Sequence, residues 1–167
     1  TTGDQTYHSR VALGAGTTLS GDDIRFDSTV KGAETLMING TGVTTFGDAV
    51  GGVVTGPASA DNLTSLTVNS TGGSVINGAS IRTTQGQTYA KGVTLGATST
   101  GPMTITLKGS GITFNDTIDA AAGKTVSLVI EDAGATAING AIGAAAANTK
   151  LVDLTIGSVS GTTLNGV

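Results

Sequence analysis

The opening segment Thr1–Tyr7 (TTGDQTY) returns as Thr83–Tyr89 (TTQGQTY), 82 residues further on, and Val11-Ala12-Leu13-Gly14 returns as Val93-Thr94-Leu95-Gly96 at the same offset. Internal repetition constrains a fold more than any other sequence feature, because each copy must find equivalent neighbours. Gly21–Val30 (GDDIRFDSTV) matches Gly109–Ile118 (GSGITFNDTI) at an offset of 88, and Leu36-Met37-Ile38 matches Leu128-Val129-Ile130 at 92. Asn62–Val68 (NLTSLTV) matches Lys150–Ile156 (KLVDLTI), again at 88. The 167 residues therefore read as a unit at 1–82 followed by a second at 83–167, forming one continuous solenoid. The offset grows near Thr100-Gly101-Pro102 and near Ala120–Gly123, and shrinks around Gly56-Pro57. Both prolines of the chain fall in these length-variable places, and proline cannot donate to a strand ladder. These are expected to be loops carried on a regular scaffold.

A shorter pattern lies inside each unit: an apolar residue, an amide or small residue, two more small residues, then usually an apolar one. It begins at Phe26, Phe46, Ile76, Phe114, Ile138 and Leu164. Taking the step from Ile76 to Phe114 as two units, and that from Phe46 to Ile76 as carrying the Pro57 loop, the underlying period is about 20 residues, which is a solenoid period. Short β-branched runs such as Leu63–Val68, Met103–Leu107 and Val126–Ile130 are bounded by Gly, Asn, Asp and Ser, as strands and turns are. Asn39-Gly40, Asn77-Gly78, Asn139-Gly140 and Asn165-Gly166 read as corners between them. Composition agrees: 27 glycines, aromatics at 3% and charged residues at 12% suit thin layers of small side chains better than one thick core. Phe26, Phe46 and Phe114 are expected to point inward.

The Thr-Thr-x-x-Gln-Thr-Tyr box, the Val-x-Leu-Gly box, the Ile/Phe-Asn-x-x-Val/Ile motifs and the Leu-Thr-x segments together resemble the Gly/Thr/Asn-rich β-strand repeats of filamentous-haemagglutinin-like adhesins and large autotransporter passengers. The similarity covers the whole chain as a style of repeat. It implies an all-β fold, a right-handed parallel β-helix of about eight coils of roughly 20 residues, in a protein exported to the surface of a Gram-negative bacterium. It carries over no catalytic residues. The chain is expected to be a segment of a longer secreted or cell-surface adhesin, acting as stalk or binding surface and covered at its ends by flanking repeats.

Net charge is −4, and the eight Lys and Arg residues are scattered singly. With no basic stripe, nucleic acid is not an expected partner. No apolar run reaches the roughly 18 residues of a membrane span, so membrane insertion by this segment is not expected. There is no cysteine and one histidine, His8, whose place in the second unit is taken by Ala90. A transition-metal site and a Ser-His hydrolase arrangement both lack partners, and His8 reads as a surface residue.

The acidic group Asp22, Asp23 and Asp27, with Arg25 between, is the most enzyme-like cluster, since lyases on β-helices combine calcium-binding carboxylates with a base. In the second unit Asp22, Asp23 and Arg25 become Ser110, Gly111 and Thr113, so solvated charge is the plainer reading. Asp116 and Asp119 are further weak calcium candidates, without the Gly-Gly-x-Gly-x-Asp repeat of calcium-binding β-rolls. Thr104 with Thr106 fits ordinary β-propensity rather than an ice-binding array. The expectation is a non-enzymatic adhesin without catalytic or cofactor residues, binding a glycan or protein receptor on a host or neighbouring cell. The binding loops would be Thr55-Gly56-Pro57 and Thr100-Gly101-Pro102. The alternatives are a carbohydrate-active or calcium-dependent carbohydrate-binding β-helix, and a surface-layer or filament protein.

Overall fold

The computed structural model describes residues 1–52, 61–144 and 149–166. Thr55, Gly56, Pro57 and Val167 lie outside the described residues. In chain order the strands begin β1 (Gln5–Tyr7), β2 (Val11–Ala12), β3 (Thr17–Gly21), β4 (Ile24–Phe26), β5 (Val30–Lys31), β6 (Thr35–Gly40) and β7 (Thr44–Phe46). There follow β8 (Ser65–Val68), β9 (Ser74–Ile76), β10 (Ser80–Arg82), β11 (Gln87–Tyr89), β12 (Val93–Leu95) and β13 (Met103–Gly109). The last are β14 (Ile112–Phe114), β15 (Ile118–Ala120), β16 (Val126–Asp132), β17 (Thr136–Ile138), β18 (Asp153–Ser158) and β19 (Thr162–Leu164). No helix occurs among the described residues, and every strand pairing is parallel.

The strands build three β-helix-like faces that the chain visits in fixed order. Face A stacks β1-β4-β7-β9-β12-β15 and face C stacks β3-β6-β8-β11-β14-β17-β19. Face B holds β2-β5 and β10-β13-β16-β18, joined through single bridges of Val50 to Val30 and to Ile81. The rungs are short because each ends in a corner. The corners hold Gly, Asn, Asp and Ser, while the strands between them hold the β-branched residues. Alternation along each strand sends one set of side chains inward, as in the buried–half-buried–buried pattern of β7, β9, β12, β14 and β17.

Phe26, Phe46 and Phe114 are all fully buried. On face A the rings of Tyr7, Phe26 and Phe46 stack with centroids 5.0 and 5.6 Å apart, and on face C Tyr89 stacks on Phe114 at 5.0 Å. These separations follow from the roughly 4.8 Å spacing of hydrogen-bonded strands, which places identical positions of successive rungs in contact. Burying one such ring contributes about 2–3 kcal/mol, and stacking about 1 kcal/mol more.

The sequence repeat and the faces are out of phase. The strand Gln5–Tyr7 lies on face A and its repeat Gln87–Tyr89 on face C; Ile24–Phe26 lies on A and Ile112–Phe114 on C. Val11 moves from B to Val93 on A, and Ser65–Val68 from C to Asp153–Ile156 on B. The cause is numerical. The first unit supplies ten strands, β1 to β10, and the Val50 bridge, and eleven positions are not a multiple of three faces. The 38-residue step from Ile76 to Phe114 is consequently not two equal periods on one face, since it carries the motif from face A to face C.

Candidate functional site

Three of the length-variable places stand at one corner, where the chain passes from face A to face B. Residues 96–102 join β12 to β13, and residues 121–125 join β15 to β16 on the rung above. The third, residues 143–152, includes residues outside the described set. Each of the two described loops turns through a glycine in the left-handed region, Gly96 at φ 70° and Gly123 at φ 74°. The turns are closed by Ser99 N–H to Gly96 O at 3.0 Å and Lys124 N–H to Ala121 O at 2.9 Å. Asn77, from the corner below, accepts the Thr98 N–H at 3.1 Å. Lys124 ties the loops together by donating from Nζ to Ser99 O at 2.6 Å.

Between them lies an open groove of about 410 Å³ lined by Thr98, Ser99, Thr100, Gly101, Gly123, Lys124 and Thr125. Of the expected binding residues, Thr100 and Gly101 line it, and Pro102 is exposed at its edge. Thr98, Ser99, Gly123, Lys124 and Thr125 are additional. The offset change near Ala120–Gly123 marks the second loop in the sequence, but only stacking of the rungs brings it against the first. The groove offers hydroxyls, backbone amides and one ammonium group, and no carboxylate lines it.

The acidic candidates are not brought together. Asp22 and Asp23 precede β4, and Asp27 follows it, so the strand separates them to different corners. Asp22 Oδ1 accepts the Thr41 hydroxyl at 2.8 Å and Asp23 Oδ1 accepts the Val43 N–H at 2.6 Å, both fastening the next rung. Asp27 is paired with exposed His8, at 2.7 Å, and with Arg25. The hydrogen bond from His8 and that from Arg25 hold its carboxyl below the usual carboxylate range. Asp116 accepts the Thr117 N–H at 2.8 Å. Asp119 is buried within β15, in register with Thr94. Among the described residues, no group of three or more His, Asp or Glu side chains stands in an arrangement that could hold a metal ion.

One carboxylate that sequence reasoning left unassigned is the most fully engaged. Asp132, 2% exposed, accepts N–H bonds from Gly111 (2.7 Å), Ile112 (2.8 Å) and Gly134 (2.8 Å), and the Thr136 hydroxyl at 2.9 Å. Burial pushes its carboxyl up, but the backbone donors and Thr136 together outweigh that and hold it below the ordinary value. It clamps two successive rungs and is structural.

Comparison with known proteins found no matching protein-family model, no matching curated protein and no matching solved structure. No helix among the described residues is long and apolar enough to cross a membrane.

Proposed function

We propose that this chain is a structural and adhesive segment of a large exported adhesin at the surface of a Gram-negative bacterium, a right-handed parallel β-helix of about eight coils. In this reading the stacked faces are a rigid spacer, and the A-to-B corner presents the recognition surface to a host or neighbouring cell. The observation that carries the proposal is the stacking of described insertions on one corner of an otherwise regular scaffold. Loops held on a rigid frame are where recognition concentrates, because the frame is committed to packing. A hydroxyl-lined groove with one cation and no carboxylate suits a glycan better than a metal ion. The segment needs no cofactor and catalyses no reaction in this proposal: the only histidine is exposed and bound to Asp27, away from any serine hydroxyl that it could activate.

A glycan array and a host-cell binding assay on the chain test the reading. Binding that falls at least tenfold when 97–101 is shortened, with the far-ultraviolet circular dichroism spectrum unchanged, supports the corner as the recognition surface. Binding that survives that deletion refutes the loop assignment, and turnover of any bound glycan overturns the non-enzymatic reading.

A further inference from the structure

The junction between the two sequence units is a copy-on-copy contact made within one chain. At that junction β11 of the second unit pairs with β8 of the first, with Leu66 opposite Gln87, Thr67 opposite Thr88 and Val68 opposite Tyr89. Beside it β12 pairs with β9, with Ser74 opposite Val93, Val75 opposite Thr94 and Ile76 opposite Leu95. One unit later, the equivalents of β8 and β9 are β18 and β19: Leu154, Thr155 and Ile156, then Thr162, Thr163 and Leu164. One unit earlier, the equivalents of β11 and β12 are β1 and β2, with Gln5, Thr6 and Tyr7, then Val11 and Ala12.

Those four strands are the ones at the outer edges of their ladders. β18 and β19 are last in their sheets, and β1 and β2 are first in theirs. Side chains buried at the internal junction are uncovered at these edges: Ile76 is 0% exposed and its equivalent Leu164 is 54% exposed. Of the four large apolar side chains exposed among the described residues, Val152, Val159 and Leu164 belong to this end. Open parallel edges with an apolar interior beside them are templates for further strand pairing.

We infer that molecules of this chain stack head to tail, β18 and β19 of one pairing with β1 and β2 of the next in the register of the internal junction. The register sets Leu154 opposite Gln5, Thr155 opposite Thr6 and Ile156 opposite Tyr7, with Thr162 opposite Val11 and Thr163 opposite Ala12. Because β18 lies on face B and β1 on face A, each added molecule is rotated by one face, as the second unit is relative to the first. The contact joins unlike ends, so it propagates into a filament rather than closing as a dimer.

The chain has no cysteine, so single cysteines report the contact without background. Thr6→Cys and Thr155→Cys proteins are mixed and oxidised, then resolved without reductant. The inference expects covalent dimer at least tenfold above that formed by either variant alone, and the same for Ala12→Cys mixed with Thr163→Cys. Thr6→Cys mixed with Thr163→Cys, which the register assigns to different faces, stays monomeric. Sedimentation velocity of the unmodified chain should show mass rising with concentration, and Leu164→Asp should abolish the rise. Dimer from Thr6→Cys alone or Thr155→Cys alone would mean pairing of like ends and overturn the inference. A monomer at every concentration, or a crosslink in the mismatched mixture, would overturn it too.

Discussion

Tyr89 donates its hydroxyl to Gln87 Oε1 at 3.0 Å inside the core, two positions along the same inward-facing edge of β11. Gln87 in turn donates from Nε2 to the Lys108 carbonyl at 2.8 Å. The first unit repeats the device, with Tyr7 to Gln5 at 2.8 Å and Gln5 to the Ser20 carbonyl at 2.7 Å. The Gln-Thr-Tyr box therefore recurs because its two polar residues satisfy each other and a neighbouring rung.

Tyr89→Phe removes the hydroxyl and leaves a buried amide oxygen without its donor, which should cost about 1–3 kcal/mol. Tyr7→Phe should cost less, since Tyr7 is only half-buried. Urea unfolding of both variants checks the order. Burial also pushes the Tyr89 phenol far above its ordinary pKa. The unfolded chain ionises this group above about pH 10 and the folded one resists. Its contribution is thus fully present below pH 10 and is lost as pH rises beyond it, so Tyr89→Phe should flatten the alkaline limb of stability against pH.

At Asp132 the sign is opposite. Its folded pKa is lowered, so its contribution is present above the unfolded value of about 4 and is lost as pH falls through the lower folded value. Asp132→Asn should lose about 3 kcal/mol at pH 7, because an amide offers one acceptor oxygen where four donors converge. The difference from the parent should shrink below pH 4 in denaturant titrations run across pH.

Ser80 is fully buried and its hydroxyl has no hydrogen-bond partner. Ser80→Ala should be neutral or raise stability by up to about 1 kcal/mol, since it removes an unsatisfied polar group from an apolar layer. Thermal unfolding at neutral pH reads this directly; a loss of 2 kcal/mol or more would show that the hydroxyl is satisfied in solution.

Gly140 follows Asn139 at a corner, and its φ is not in the left-handed region. A Cβ there would lie 2.2 Å from the carbonyl carbon of Asp116 on the rung below. Gly140→Ala should therefore destabilise by about 2–4 kcal/mol through steric displacement of backbone. Asn139 donates to Asn115 at 3.1 Å and accepts from Asn165 at 2.8 Å in an exposed ladder. Asn139→Ala should cost only about 1 kcal/mol. Chemical denaturation that ranked the two in reverse would place the role of the Asn-Gly pair in the amide rather than in the close approach.

Period, strand chemistry and the inward phenylalanines were legible in the residues themselves, because each depends on alternation and spacing within a few positions. The Asn-Gly pairs were legible as corners, but not the reason for them: glycine at 140 serves contact with Asp116, a residue 24 positions earlier. Asp132 carried no signal, since two of its donors, Gly111 and Ile112, belong to another rung. The acidic triplet Asp22, Asp23 and Asp27 looked like a cluster only along the chain, and the intervening strand parts it.

What the sequence alone determined is that two similar units of short β-branched strands must lie in layers with small residues at the bends, since hydrophobic alternation and turn chemistry are local. What the tertiary structure decided is which strand meets which. Eleven strand positions per unit wound onto three faces displace every repeated residue to a new face. That phase also stacks the loops at 96–102 and 121–125 into one groove, because loop neighbourhood is set by the rung above and not by the residue next in the chain.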